Sequence, residues 1–327
     1  MTKVLITGAS GFVGLSLLKK LSLDPSLKII ALTNTQDSKS LFQARNIIWK
    51  EVNLLEDCLD NIFSGIDVIY HLVGYSGLGK TVEDKHKLIS LNETLSCRLG
   101  SHSDMSSIKH LIYVSSIAVC EDSNEAFIDE LNGYYISEYG ASKKRTEDLL
   151  KKSAINNFEL TILRPTALFG KNHKGSIFEL AKRVKEKKFF IFGTGKNTTN
   201  FYYIEEFSEV LMQVMLNKDF YGNTYIASSD PITLNSLVET IATSLDMKSN
   251  FIKLPLFLGY FFAYIFDIFE FLSKKELPFS SRRMKAMTKS RVYKNDKLQA
   301  SLNDYKPQTL EGISDTISWF KESGNLK

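Results

Sequence analysis

Short, nearly unbroken apolar runs punctuate the first half of the chain. They are VLI (4–6), KIIAL (28–32), IIW (47–49), DVIYHLV (67–73), HLIYVSS (110–116) and FELTILRP (158–165). Val, Ile, Leu and Tyr fill them with little alternation, the signature of strands buried on both faces. Helix-spaced stretches lie between, the first ending near Leu23. This alternation predicts a doubly wound α/β fold, a parallel sheet with helices on both sides. After Pro165 the rhythm changes. Loops are predicted around 168–176 and 192–200, a helix over 205–216 and a late strand at 223–227, with a mostly helical remainder. No internal repeat or low-complexity linker is visible. The pattern predicts a sheet-bearing part built from 1–167 and 201–228, and a smaller helical lobe built from 168–200 and 229–327.

One stretch strains this picture: LPLFLGYFFAYIFDIFEFL at 254–272. Asp267 and Glu270 interrupt it, so its uncharged part is shorter than the roughly 20 residues of a spanning helix. A buried helix is expected, and a helix lying on a membrane surface is the alternative.

Composition adds exclusions. The chain has 327 residues, 43% of them hydrophobic and 24% charged, with a net charge of +4. That charge is too small to imply nucleic acid, and the basic stretches at 181–188 and 281–285 read as solvated helix faces. Cys58, Cys97 and Cys120 are far apart and form no CxxC, so neither a disulfide framework nor a metal site is expected. MTKVLITG runs straight into the first predicted strand, without room for a cleavable leader. A cytoplasmic protein is expected, with membrane association tied to 254–272.

The first run opens into TGASGFVG, with Gly8, Gly11 and Gly14 between a predicted strand and a predicted helix. In that context each glycine has a task. Gly8 permits the tight turn, Gly11 leaves bare backbone where a pyrophosphate can sit, and Gly14 lets the helix pack closely. Ser10, Phe12 and Val13 complete the loop and the helix N-terminus, whose dipole favours an anion. A dinucleotide is the implied ligand. Ala31-Leu32-Thr33-Asn34 ends the second strand, where an acid would select NAD and an arginine NADP. Thr33 and Asn34 are neither, so NAD or NADP both remain open. Asn53-Leu54, after the third strand, could flank an adenine.

Hydride transfer at a carbinol needs an acid/base, a cation that tunes it and a donor that holds the oxygen. YGASK supplies Tyr139 and Lys143 one helical turn apart, on one face. A lysine so placed is expected to lower the tyrosine's pKa. The spacing alone is weak evidence, because Tyr293 and Lys297 share it. Company separates the two pairs. YVSSIAV (113–119) ends a predicted buried strand about 20 residues before Tyr139, and in open α/β sheets ligands bind beyond such ends. Ser116 is the candidate donor.

TGASGFVG, DVIYHLVG, the Asn92 of ISLNETL, YVSSIAV, YGASK and LTILRPTALFG occur in an order and spacing similar to the extended short-chain dehydrogenases/reductases. More narrowly, the chain resembles the NAD-dependent epimerase/dehydratase family, with its nucleotide-sugar 4-epimerases and 4-reductases. The resemblance implies a Rossmann-type sheet carrying the dinucleotide and a C-terminal substrate lobe. It implies Ser116, Tyr139 and Lys143 as the catalytic triad, with Gly8, Gly11 and Gly14 on the pyrophosphate. His71, Leu72 and Val73 would line the cofactor, Asn92 would support the site, and Pro165-Thr166 would face the nicotinamide. A homodimer is common in the family. An arginine usual in the GTGKNTTN region is replaced by Thr198 or Thr199, so substrate contacts fall to Ser176, Lys196, Arg282 or Arg283. The Asp-Glu pair of the family's 4,6-dehydratases is Ile117-Ala118 here, which argues against dehydration.

The leading expectation is an NAD(P)-dependent enzyme acting at C4 of a UDP-hexose, by epimerisation or by net reduction or oxidation. A sterol or lipid-linked alcohol as substrate is the second reading, prompted by 254–272. A dinucleotide-binding protein without catalysis is the third, and the intact Ser–Tyr–Lys set argues against it.

Overall fold

The computed structural model describes residues 1–34, 41–77, 79–122, 127–129, 133–273 and 280–326. The main sheet is built from β1 (Thr2–Thr7), β2 (Leu27–Thr33), β3 (Ile47–Glu51), β4 (Val68–His71), β5 (His110–Val114), β6 (Glu159–Pro165) and β7 (Thr224–Ala227). Each apolar run of the first half, and the late strand at 223–227, yields one of them. They lie in the order β7-β6-β5-β4-β1-β2-β3, every neighbouring pair parallel. β4 and β5 are buried at every position, and β1 from Val4 to Thr7. Helices on both faces leave those strands no solvent side, which is why they show no polar alternation.

The helices are α1 (Phe12–Leu21), α2 (Val82–Leu88), α3 (Leu95–Gly100), α4 (Glu138–Ala154), α5 (Ser176–Lys185), α6 (Ile204–Val214), α7 (Leu234–Ser244), α8 (Leu256–Ser273), α9 (Ser281–Thr288), α10 (Asp296–Ser301) and α11 (Thr309–Glu322). A π-helical turn, Ile89–Thr94, joins α2 to α3. α1 packs with α6, and α3 with α4. The strand order reverses between β1 and β4, which opens a crevice beyond their carboxyl ends.

The chain forms two compact units. The first comprises Met1–Leu168, Ile204–Ser228 and Lys294–Pro307. The second comprises Phe169–Tyr203, Ser229–Tyr293 and Gln308–Lys327. The last 99 residues, 229–327, are therefore not one lobe: Lys294–Pro307 belongs with the sheet. α10 packs on β7, and Lys297 Nζ donates to Thr224 O at 3.0 Å. Helical periodicity in a tail does not reveal which body it joins. Lys297 is thus spent at the amino end of β7, the opposite end from the crevice, so the second YxxxK pair is no rival site.

Within the second unit α5 meets α11 through Phe178 and Phe320, ring centroids 4.7 Å apart, and α7 also packs on α11. α8 packs on α9. The expectation of a buried helix at 254–272 is overturned. Phe257 is 69% exposed, Ile268 61% and Leu272 71%. Among the described residues no helix is long and apolar enough to cross a membrane.

One glycine sets how closely α1 approaches β1. A Cβ at Gly14 would fall on Gly8 O and on the Ala9 backbone, atoms that cannot swing aside. Gly14→Ala is expected to destabilise the fold by at least about 1–3 kcal/mol, as overpacking does, read as a lower midpoint in urea unfolding.

Candidate active site

The crevice holds a cleft of about 180 Å³. It brings together Gly8 and Ser10 after β1, Thr33 and Asn34 at the end of β2, Asn53 and Leu54 after β3, and Val73 after β4. Leu32, Val52, Leu55, Gly74, Leu91 and Leu95 complete its wall and were not singled out from sequence. Apolar residues facing a slot carry no motif; only the fold collects them.

The glycine loop fits a dinucleotide on its own geometry. Gly8 has φ +69°, and a Cβ there would lie 2.9 Å from Val73 N. At Gly11 an added Cβ would touch only Gly8 O, at 3.2 Å, so the space above is open. Gly11 caps α1 without a side-chain hydrogen bond. An anion there meets backbone and the positive helix end. Thr7 anchors the loop: its Oγ1 accepts from Leu72 N at 3.2 Å and bonds His71 Nδ1 at 2.8 Å.

His71 departs from its expected part. Its ring is fully buried and its Nε2 meets Ser96 Oγ at 2.8 Å. Burial, then the Lys143 charge, lower its pKa to about 3. It is a neutral strut beneath the loop, and Leu72 and Val73 approach the loop through backbone.

The second half of the site lies beyond β5. Ser116 caps the single 3₁₀ turn Ile117–Cys120, its Oγ accepting from Ala118 N at 3.2 Å. The same side chain stands next to Tyr139 and acts to lower its pKa. Ser137 caps α4 by accepting from Gly140 N, so Tyr139 enters on the helix's first turn. A Cβ at Gly140 would fall on Ala118 O. The glycine of YGASK is what lets α4 come close enough for Tyr139 to reach Ser116.

One turn on, Lys143 is 4% exposed. Its Nζ donates to Val114 O at 3.3 Å and sits 5.0 Å from the Tyr113 ring centroid. A Cβ at Gly74 would lie 2.9 Å from Nζ, so Gly74 joins the cleft to the lysine. Asn92, in the π-turn, is 1% exposed. It accepts from Tyr75 N at 2.7 Å and donates to Ser142 Oγ at 2.9 Å, tying the turn to α4.

Glu147 follows Lys143 by another turn and was missed, although the i,i+4 spacing was in view. It is fully buried. It accepts from Arg164 Nε at 2.9 Å and Nη2 at 2.7 Å, and from Ser115 Oγ at 2.6 Å. Burial lowers the Lys143 pKa to about 8, with the Glu147 charge opposing. Tyr139 also differs from expectation. Burial raises its pKa, and the Ser116 bond only partly offsets that. The lysine is held by Val114 O and the Tyr113 ring.

Thr166 is 4% exposed, donates its N–H to Ala227 O at 2.9 Å, and leaves a buried Oγ1 without a partner among the described residues. Such a hydroxyl suits a bound amide. In the second unit Ser176 opens α5, and Lys196 stands exposed on a loop. Arg282 and Arg283 have side chains outside the described residues. Arg291, which the sequence did not single out, donates its N–H to Thr198 O at 3.0 Å and keeps a buried Nε without a partner among the described residues. It is a cation beside the threonines that stand where an arginine was expected.

Sheet order, glycine loop and the Ser116–Tyr139–Lys143 cluster define a dinucleotide-dependent enzyme of the extended short-chain dehydrogenase type. A family model described as the NAD dependent epimerase/dehydratase family matches residues 4–226. The chain belongs to that family. One relative, from Escherichia coli O157:H7, is N-acetyl-alpha-D-glucosaminyl-diphospho-ditrans,octacis-undecaprenol 4-epimerase. It is 27% identical over 97% of this chain and 94% of its own length. The crystal structure of UDP-glucuronic acid 4-epimerase from Bacillus cereus in complex with NAD aligns at TM-score 0.76, with 19% identity and 100% of each chain covered. UDP-N-acetylglucosamine 4-epimerase from Methanobrevibacter ruminantium M1 aligns at 0.75, with 20% identity over 98% of this chain and 99% of its own. At those identities the structures share the fold.

Two outcomes are expected. The described cleft residues include no cation to meet a 2′-phosphate, so NAD is expected to bind at least about tenfold tighter than NADP, measured by fluorescence titration. The second concerns Lys143, which loses its proton near pH 8 when folded but near 10.5 when unfolded. Between those values the unfolded chain binds more protons, so this group's contribution to stability rises with pH. Lys143→Met is expected to be more stable than the wild type below pH 8, by up to about 3 kcal/mol. Denaturant unfolding should find the gap closing by pH 10.5.

Proposed function

We propose that the protein is an NAD-dependent 4-epimerase of a hexose carried on a diphosphate, a nucleotide sugar in the first reading. The observation that carries this is Lys143, 4% exposed, one turn after Tyr139 on α4 and donating to Val114 O at the carboxyl end of β5. When bound, NAD would supply a nicotinamide ring able to accept hydride from the sugar carbon and to give it back. Tyr139 as phenolate then removes the proton of the C4 hydroxyl as the carbon loses hydride. Ser116 holds the resulting carbonyl oxygen. Hydride returned to the opposite face, with the proton given back by Tyr139, leaves the inverted sugar and no net redox change. Lys143 keeps a buried positive charge one helical turn from Tyr139.

Elimination of water would need further acid/base groups at the turn after Ser116. That turn carries Ile117 and Ala118, which supports epimerisation over dehydration. Arg291 is the proposed partner of the substrate diphosphate, with Lys196, Ser176, Arg282 and Arg283 as lesser candidates. A second reading keeps the chemistry and changes the carrier to a polyprenyl diphosphate. It is favoured by the substrate named for the E. coli relative, matched along nearly the whole chain.

The test supplies NAD in catalytic amount with UDP-N-acetylglucosamine or UDP-glucose. The C4 epimer is expected to form without accumulation of NADH, and Tyr139→Phe is expected to lower kcat by about 10²–10⁴-fold with NAD affinity retained. Stoichiometric consumption of cofactor would identify a reductase or dehydrogenase and overturn the reading.

A further inference from the structure

α8 is built the wrong way round for a helix in water. A surface helix normally turns its large apolar residues inward and its charges out. Here Gly259 and Ala263 face the body of the second unit: a Cβ at Gly259 would fall on the Met284 side chain, and Ala263 is fully buried. Asp267 is turned the same way and accepts from Ser281 N at 3.1 Å. Outward, at spacings of three and four, stand Phe257, Phe261, Tyr264, Ile268 and Leu272, all at least 58% exposed. Phe262 and Phe269 widen the stripe. The helix's two acids, Asp267 and Glu270, are both off this arc. The result is an uncharged apolar strip along a helix of 18 residues, about 27 Å long. Patches of this kind mark contact surfaces.

We infer that this strip docks on the surface of an anionic lipid bilayer, α8 lying in the interface. Charge decides between a bilayer and a second copy of the chain. Lys253 to Arg291 contains eight basic residues and three acids, an excess of five where the whole chain has +4. Lys253, just before α8, and Lys285, on α9, are exposed, and a two-fold dimer through the strip would bring like charges together. Anionic headgroups attract them instead. No described helix can span a membrane, so the docking is peripheral. If the 4-epimerase reading also holds, on which this last step rests, the enzyme is poised for a sugar diphosphate whose carrier is itself a membrane lipid.

The full-length protein is sedimented with vesicles of phosphatidylcholine alone or mixed with phosphatidylglycerol. It is expected to pellet with the mixed vesicles and at least about tenfold more weakly with the neutral ones. Phe261→Asp combined with Ile268→Asp is expected to lower the partition about a hundredfold, with unchanged melting and NAD affinity. Should that variant not fold, Phe261→Trp supplies a second readout: quenching of its emission by brominated lipid supports docking, and none overturns it. A wild type that stays in solution with both vesicles overturns the inference. So does a dimer, seen by light scattering, that the double substitution splits. Activity on soluble UDP-sugars is assayed in the same samples. Vesicle binding without epimerisation of soluble UDP-sugars would overturn the nucleotide-sugar reading and leave the docking standing.

Discussion

The buried carboxylate of Glu147 holds the active-site half of the sheet unit together. α4 carries Tyr139 and Lys143, but nothing in a helix's own hydrogen bonding fixes where it lies on a sheet. Glu147 fixes it, by taking both nitrogens of one edge of Arg164 on β6 and the hydroxyl of Ser115 just after β5. Both partners of the ion pair are almost wholly buried. A buried pair of this kind is not a source of net stability against an apolar pair. Its value lies in its intolerance of displacement: losing one partner leaves an uncompensated charge, at a cost of about 3–5 kcal/mol. The two strands and the helix are thereby locked in one register, and Ser116, one residue beyond Ser115, is locked with them.

The same carboxylate governs the electrostatics one turn away. Lys143 sits where burial alone would strip its proton, and the Glu147 charge pulls the other way. A pKa near 8 is the compromise. The lysine keeps its charge at neutral pH, yet its ammonium is poorly solvated and available to a ligand that enters the cleft. Tyr139 is half-buried, and desolvation raises its pKa, with Ser116 opposing.

Much of the fold was legible because parallel strands buried on both faces must be continuous apolar runs. That constraint is local in sequence, and each run became a strand. The glycine loop and YGASK were legible for a related reason: phosphate approach and one-turn spacing are properties of short segments. What could not be read depends on which distant atoms meet. His71 looked like a cofactor neighbour because it ends β4, but Thr7 and Ser96 claim both its nitrogens. Gly140 looked like part of a motif and proves to be clearance for Ala118 O. The direction of the Tyr139 shift required knowing that Val114 O and the Tyr113 ring hold Lys143. Lys294–Pro307 had helical periodicity but no sign of which unit it would join.

The misreading of 254–272 is the most instructive, because the hydropathy was read correctly and the conclusion still reversed. An apolar helix is expected inside because burial against protein is the usual way to remove it from water. That inference assumes a partner within the chain large enough to cover it. Among the described residues α8 meets its own unit through Gly259 and Ala263, with Met284 and Phe192 against Gly259, and through Tyr260, whose hydroxyl lies 3.4 Å from Thr288 Oγ1. Small residues there let the two helices approach, which turns the aromatic residues away from the body. Gly259 and Ala263 thus lie on the inner face while Phe257, Phe261, Tyr264 and Ile268 remain in water. Burial within the second unit does not reach those four side chains, and a surface outside the chain is what would cover them.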